Sequence, residues 1–424
     1  MKKYENYKDS GLEWLGMVPE HWEILPFKRG VSVNNGRDYK HVKSEDGYPV
    51  IGSGGQFAYA SDYLYDGEVI LLGRKGTIDK PRYFSGKFWT VDTMFYAIPN
   101  QKCIAKYMYY QALTIPFSFY STDTALPSMT QSDLGNHLMC FPPISEQRII
   151  ASYLDQKVGQ IDALISEKEK MVEDLKAYRS SLITETVTKG LDKEVEMKDS
   201  GDIIFKSIPQ HWNLIPIKYL TSKVGSGVTP TGGANVYLQE GIIFLRSQNI
   251  YPTGLQLDDV VYISEAIDNN MAATRVNKGD VLLNITGASI GRCFTYNRDE
   301  RANVNQHVCI VRPKQTLLNG KYLQYLFNSN AGQNFINSVQ NGTNREGLNF
   351  EQIKNFSVPV PSLDEQQTII KFLEEKLSKI DALQIELEHQ LSDLKSYKSS
   401  LITEAVTGKI DLRDWQTKNH NALW

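Results

Sequence analysis

Apolar residues recur every seven positions through residues 365–407. Leu373, Ile380, Leu387, Leu394 and Leu401 form the row, Leu383 and Tyr397 stand three positions further on, and Leu377 and Leu391 four. That spacing predicts a long helix with a coiled-coil seam widened into a packing face. Residues 146–188 carry the same pattern, with Leu154, Ile161, Lys168, Leu175 and Leu182 in the row and Leu164, Met171 and Tyr178 beside it. Lys168 interrupts this seam as a lone polar residue does when it fixes register. Gly159 is the one glycine inside either stretch, and Pro142-Pro143 and Pro359/Pro361 stop the segments before them. About 43 residues at 1.5 Å each make a rod of roughly 65 Å. A helix apolar along one stripe needs a partner, and each of these has the other. Antiparallel pairing is expected, because two equivalent domain-plus-helix units relate naturally by a twofold axis.

The pattern belongs to a duplication. Lys8-Asp9-Ser10-Gly11 returns as Lys198-Asp199-Ser200-Gly201, and Pro19, His21, Trp22, Pro26 and Lys28 return as Pro209, His211, Trp212, Pro216 and Lys218. Further on, Glu146-Gln147 matches Glu365-Gln366, Ile161–Leu164 matches Ile380–Leu383, and Ser180–Glu185 is identical to Ser399–Glu404. The middles diverge. They read as mixed domains of short strands, such as Tyr48–Ile51, Val69–Leu72 and Val281–Leu283, separated by Gly, Asn and Asp turns. Each adds one amphipathic helix, near Lys106–Leu113 and Lys321–Phe327. The fold class is therefore α/β (α+β): two mixed α/β domains, two long helices as an antiparallel coiled coil, and a pseudo-twofold internal repeat. The expected boundaries are 1–143 for the N-terminal segment and first domain, and 144–190 for the first helix. A linker covers 191–208, the second domain 209–360, the second helix 361–407 and a tail 408–424.

A hydrophobic share of 41% and a charged share of 22% suit a globular protein, and no apolar run approaches membrane-spanning length. A cytoplasmic location is expected. The net charge of −3 weighs against indiscriminate polyanion binding but leaves room for DNA binding through local patches. Cys103, Cys140, Cys293 and Cys309 stand singly, which points away from zinc or a disulfide framework. Metalloprotease, nucleophile-elbow, phosphate-loop and dinucleotide motifs are absent, as is the Asn/Asp-Pro-Pro-aromatic tetrapeptide of amine methylation. A binding protein is expected rather than an enzyme. His21 and His211 read as structural, with Trp22 and Trp212 anchoring each domain entrance.

The divergent middles do carry polar loops suited to base edges. In the first, Ser53, Gly54 and Gln56 follow one strand. Arg74, Lys75, Thr77 and Lys80 follow another, and Ser128, Thr130 and Gln131 come last. In the second, Arg246, Ser247, Gln248 and Asn249 fill the first loop, with Thr286, Ser289 and Arg292 in the next. Asn305, Gln306 and His307 lie downstream, and Thr343, Asn344 and Arg345 end the series. Arg pairs bidentately with guanine, Asn or Gln with adenine, and glycine lets backbone approach phosphate. Arg74 and Arg246 are the expected guanine readers. Any one loop alone reads more readily as a solvated turn; three at corresponding places, with different contents, strengthen the case for recognition.

Together these residues resemble the specificity subunit of type I restriction–modification enzymes across nearly the whole chain. The most specific pieces are Lys8–Gly11 with Pro19-x-His21-Trp22, Gly73-Arg74-Lys75-Gly76-Thr77-Ile78, Pro142-Pro143-x-x-Glu146-Gln147, and the ending Leu401–Asp411. Asp79 stands where the family often has glycine. The resemblance implies two target-recognition domains reading an asymmetric bipartite DNA target, one half-site each. Adenine methylation and ATP-driven cleavage then fall to partners: two modification subunits and the restriction subunits, which bring S-adenosylmethionine, ATP and magnesium. Half-sites about one turn of DNA apart, roughly 34–36 Å, are within reach of such a rod. The competing readings are a methyltransferase or nuclease with unrecognised motifs, and a coiled-coil scaffold that binds only protein.

Overall fold

The computed structural model describes residues 2–120, 127–340 and 347–415. The chain forms two compact units: Met1–Glu169 with Glu388–Trp424, and Lys170–Leu387. The long helices run Ile144–Lys189 and Leu363–Val406, so each contributes a portion to both units. Among the described residues no helix is long and apolar enough to cross a membrane.

In the first unit the two helices are antiparallel. Lys398 pairs with Asp162 at 2.6 Å and Lys168 donates to Gln390 at 2.6 Å, so rising numbers on one helix meet falling numbers on the other. Lys168 thus occupies its seam position with a polar partner across the pair. In the second unit Arg179 meets Asp381 at 3.2 Å, and Leu175 and Leu182 share a core with Leu373, Leu377 and Ile380. The seven-residue row is covered as expected, but the row three positions on is not. Leu164, Met171, Tyr178, Leu383 and Tyr397 are 44–55% exposed. Packing uses the first row together with the residues four further on, among them Val158, Val172, Leu377 and Leu391, all buried. With a single partner helix, the opposite flank of the stripe stays outside.

The first unit holds a seven-stranded sheet in the order Val31–Asn35, Met94–Pro99, Tyr65–Gly73, Arg82–Thr90, Tyr48–Gly52, Gly55–Ala60, Lys43–Ser44. Only the pairing of Tyr48–Gly52 with Arg82–Thr90 is parallel. In the second unit the counterpart of the nine-residue strand Arg82–Thr90 is broken into Cys293–Thr295 and Ala302–Val304. The intervening turn is fixed by the buried ring of Tyr296, whose hydroxyl donates to the Glu300 carbonyl at 2.7 Å. The sheet accordingly becomes two four-stranded sheets, one around Val281–Asn284 and one around Ile242–Leu245.

The expected amphipathic helices are Ala105–Ala112 and Gly320–Asn328. Each sends a fully buried tyrosine to the end of a long helix, where the last carbonyls lack helical partners. Tyr107 donates to Cys140 O and Val406 O (3.0 and 3.3 Å), and Tyr322 to Pro359 O and Val187 O (3.1 Å each). The segment 191–208 is more than a connector. Met197–Asp199 pairs with Ser207–Pro209, as Tyr7–Asp9 pairs with Met17–Pro19, and Phe205 and Ile208 are buried. The tail is equally committed. Ile410 and Leu412 are buried, Asp411 N donates to Lys2 O at 2.8 Å, and Lys2 meets Asp414 at 2.7 Å.

Candidate nucleic-acid interface

Each unit presents its loops from a rigid base built on the repeated His-Trp and Glu-Gln pairs. Glu146, in the first turn of its helix, accepts from Tyr4 (2.9 Å) and from the indole of Trp22 (3.1 Å), and meets the His21 ring at 2.6 Å. Glu365 does the same for Trp212 and His211, each at 3.0 Å. An acidic residue in a helix's first turn also complements the positive end of the dipole. The neighbouring Gln147 takes Ile104 N at 3.1 Å and donates to Lys102 O and Pro142 O. Gln366 repeats this with Asn319 N, Leu317 O and Pro361 O. The histidines are structural, as their repetition suggested. That Glu-Gln clasps the domain entrance was missed, although its recurrence after each proline pair was the available signal.

Both long helices end on a left-handed glycine set against these tryptophans. At Gly408 (φ +71°) an added Cβ would fall 2.3 Å from Pro19 Cδ, and at Gly190 (φ +80°) 3.3 Å from the Trp212 ring. Only glycine fits the first without movement.

In the first unit the loop after Tyr65–Gly73 and the segment 127–131 form one surface. Lys75 bridges Ser128, Gly76 N donates to Pro127 O (2.8 Å), and Met129 N donates to Arg74 O (3.0 Å). Lys75 and Thr77 are exposed there, with Arg74 half-buried and its Nη1 3.4 Å from Asp92 O. Thr130 caps the helix Gln131–Asn136, and the Gln131 amide donates to Val33 O at 2.7 Å, so both also shape the surface. Gly54 and Gln56 are exposed at the adjacent turn, where Ser53 O accepts from Arg82 at 3.3 Å. Lys80 is not with them. It lines a separate concavity of about 570 Å³ with Arg82, Tyr83, Lys106, Tyr109 and Asp155.

In the second unit convergence is tighter. Ser247, Gln248, Thr286, Ser289, Arg292 and His307 line one open concavity of about 380 Å³, joined by Tyr251, Gly287 and Ala288. Thr286 and His307 Nδ1 are 2.6 Å apart, and Gln306 lies exposed 3.2 Å from His307 Nε2. Gln248 donates to the Asp259 carboxylate, and Ser247 O accepts from the buried Asn284 amide at 2.8 Å. Three expected readers are otherwise occupied. Asn249 is 0% exposed, accepting from Arg246 N and donating to Gln256 O and Asp259. Arg246 is 23% exposed and turned onto Asp259 O at 2.7 Å. Asn305 is buried and accepts from His307 N at 3.1 Å. These three hold loops in shape, as polar side chains near turns commonly do. Thr343, Asn344 and Arg345 lie outside the described residues.

Burial pushes the thiols of Cys103, Cys140 and Cys309 up to about 12, and that of Cys293 further still. Among the described residues no His, Cys, Asp or Glu group is placed to hold a metal ion.

A family model described as the type I restriction modification DNA specificity domain matches residues 22–174 and again 193–395. The EcoBI specificity subunit of Escherichia coli is 23% identical over 447 residues, covering 98% of this chain and 91% of the relative. The MjaVIII specificity subunit of Methanocaldococcus jannaschii is 23% identical over 441 residues, 97% of each. Among solved structures, a chain from work on complex assembly and conformational transition of the type I R-M system has a TM-score of 0.71 at 15% identity. That likeness covers 93% of this chain and 99% of the other. One matched segment in each repeat, spanning anchor, loops and helix, makes this chain a member of the type I restriction–modification DNA specificity family.

Proposed function

We propose that the chain reads an asymmetric bipartite DNA sequence, with one half-site for recognition domain 1–143 and one for 209–360. The observation that carries this is the second unit's concavity, where three loop segments distant in sequence, around Ser247, Thr286 and His307, converge on an open polar surface. The equivalent first-unit loop offers Arg74, Lys75 and Thr77 where the second offers Thr286, Gly287 and Ser289, so different half-sites are expected. The long helices set the distance between half-sites and dock two modification subunits. The docking surface is the uncovered row: Leu164 and Tyr397 in the first unit, Tyr178 and Leu383 in the second. Large exposed apolar side chains in corresponding places suit two copies of one partner. The chain itself is non-catalytic in this reading. Modification and restriction subunits supply adenine methylation and cleavage, with S-adenosylmethionine, ATP and magnesium bound there.

Mapping methyladenine genome-wide with the chain present and deleted tests this. The expected result is one two-part motif with a fixed spacer that disappears on deletion. A chain that methylates DNA unaided would instead support the enzyme reading. Failure of the chain with its modification subunits to select any bipartite duplex over competitor DNA at several salt concentrations would favour the protein scaffold.

A further inference from the structure

The second unit's concavity contains a cation, Arg292, whose guanidinium engages no acceptor among the described residues. Arg292 follows the 3-10 turn Gly287–Ser289, and its guanidinium lies over the Tyr251 ring, 4.8 Å from the centroid. No hydrogen bond or ion pair engages that guanidinium among the described residues, although both side chains line the concavity. The other long polar side chain there, Gln248, is tied to Asp259, and His307 is tied to Thr286. Arg246 is held by Asp259 outside the concavity's lining. A guanidinium braced through its face keeps its planar fork of N–H donors available and loses little rotamer freedom on binding. The matching acceptor pair on DNA is O6 and N7 of guanine in the major groove.

We propose that Arg292, braced by Tyr251, is the residue that reads a G·C pair in the half-site of the second domain. The inference rests on the bipartite reading above and names the base within it. Tyr251 is a positioning residue and Arg292 a specificity-determining one.

The test uses the full chain assembled with its modification subunits. Methylation is measured on the selected duplex and on all single-base variants of both half-sites, at two salt concentrations. Arg292→Ala should lower discrimination at one G·C position of one half-site by about 5- to 150-fold. The other half-site should be unchanged. Arg292→Lys should retain part of the preference, because an ammonium reaches the same acceptors without the fork. Tyr251→Phe should behave as the parent, whereas Tyr251→Leu should reduce discrimination at that same position. Equal weakening on every sequence, with a shallower salt dependence, would make Arg292 a phosphate contact and overturn the proposal. So would an unchanged motif in Arg292→Ala and Arg292→Lys. If the parent complex selects no bipartite target, the functional reading itself falls and takes this inference with it.

Discussion

The two units share their clasp and differ in their loops. Glu146 with Trp22 and His21, and Glu365 with Trp212 and His211, are the same arrangement at the same distances to within a few tenths of an ångström. The loops those clasps support have little in common: an exposed Lys75 and Thr77 against a concavity with Arg292 and His307. Buried, fully satisfied polar groups tolerate little change, while exposed loop side chains carry small structural cost. The duplication therefore preserved the mounting and left the loop surface free to diverge.

Removing the clasp should have the largest effect and should expose its one asymmetry. Glu146 serves three donors and its side chain is 10% exposed, whereas Glu365 serves two and is 29% exposed. Glu146→Ala should destabilise the first unit by about 3–5 kcal/mol, and Glu365→Ala the second by about 2–3, read by urea denaturation. Equal losses would remove Tyr4 from the account.

Acid should separate the units next. Phe27 N donates to His137 O in the first unit, and Ile217 N to Phe356 O in the second, so a histidine answers a phenylalanine. Burial lowers the His137 pKa to about 4, with the ring stacked on Trp14 and bonded to Tyr120. The folded chain keeps this ring neutral while the unfolded chain takes up a proton below about pH 6.5. Its stabilising effect is complete above pH 6.5 and fades as pH falls toward 4, by on the order of 2–3 kcal/mol. Hydrogen exchange across that range should show weakening centred on the first unit, and His137→Gln should flatten it.

The helix-end glycines should differ in the same sense. Gly408→Ala drives a methyl into Pro19 and should cost about 2 kcal/mol or more, Gly190→Ala about 1, by thermal denaturation. Lys168→Ala should cost less than about 1 kcal/mol, since its bond to Gln390 is partly exposed. A loss of several kcal/mol would show that this contact dominates the register of the first unit.

Much of this was legible in the chain because periodicity and repetition report on packing. The seven-residue row gave both helices and the buried Leu373, Ile380 and Leu401. The row three positions further on, with Leu164, Tyr178, Leu383 and Tyr397, was misjudged as part of the packing face, because a pattern marks what is apolar and not what covers it. Loop polarity was ambiguous in a different way. Asn249 and Arg246 carry the groups a base reader needs, and those same groups satisfy their own loop. Tyr251 carried no mark at all, since its brace on Arg292 exists only once two loops have met.

The first unit is stitched from two stretches far apart in the chain: Lys2 against Asp414, Tyr4 beneath Arg413, Gly408 behind Trp22. The second unit is an uninterrupted stretch, Lys170–Leu387. On a ribosome, the second unit has all its parts while the first still waits for residues 388–415. A product that stopped or was clipped before residue 388 would thus carry one finished unit and one open one, with residues 388–415 serving as the latch that closes it.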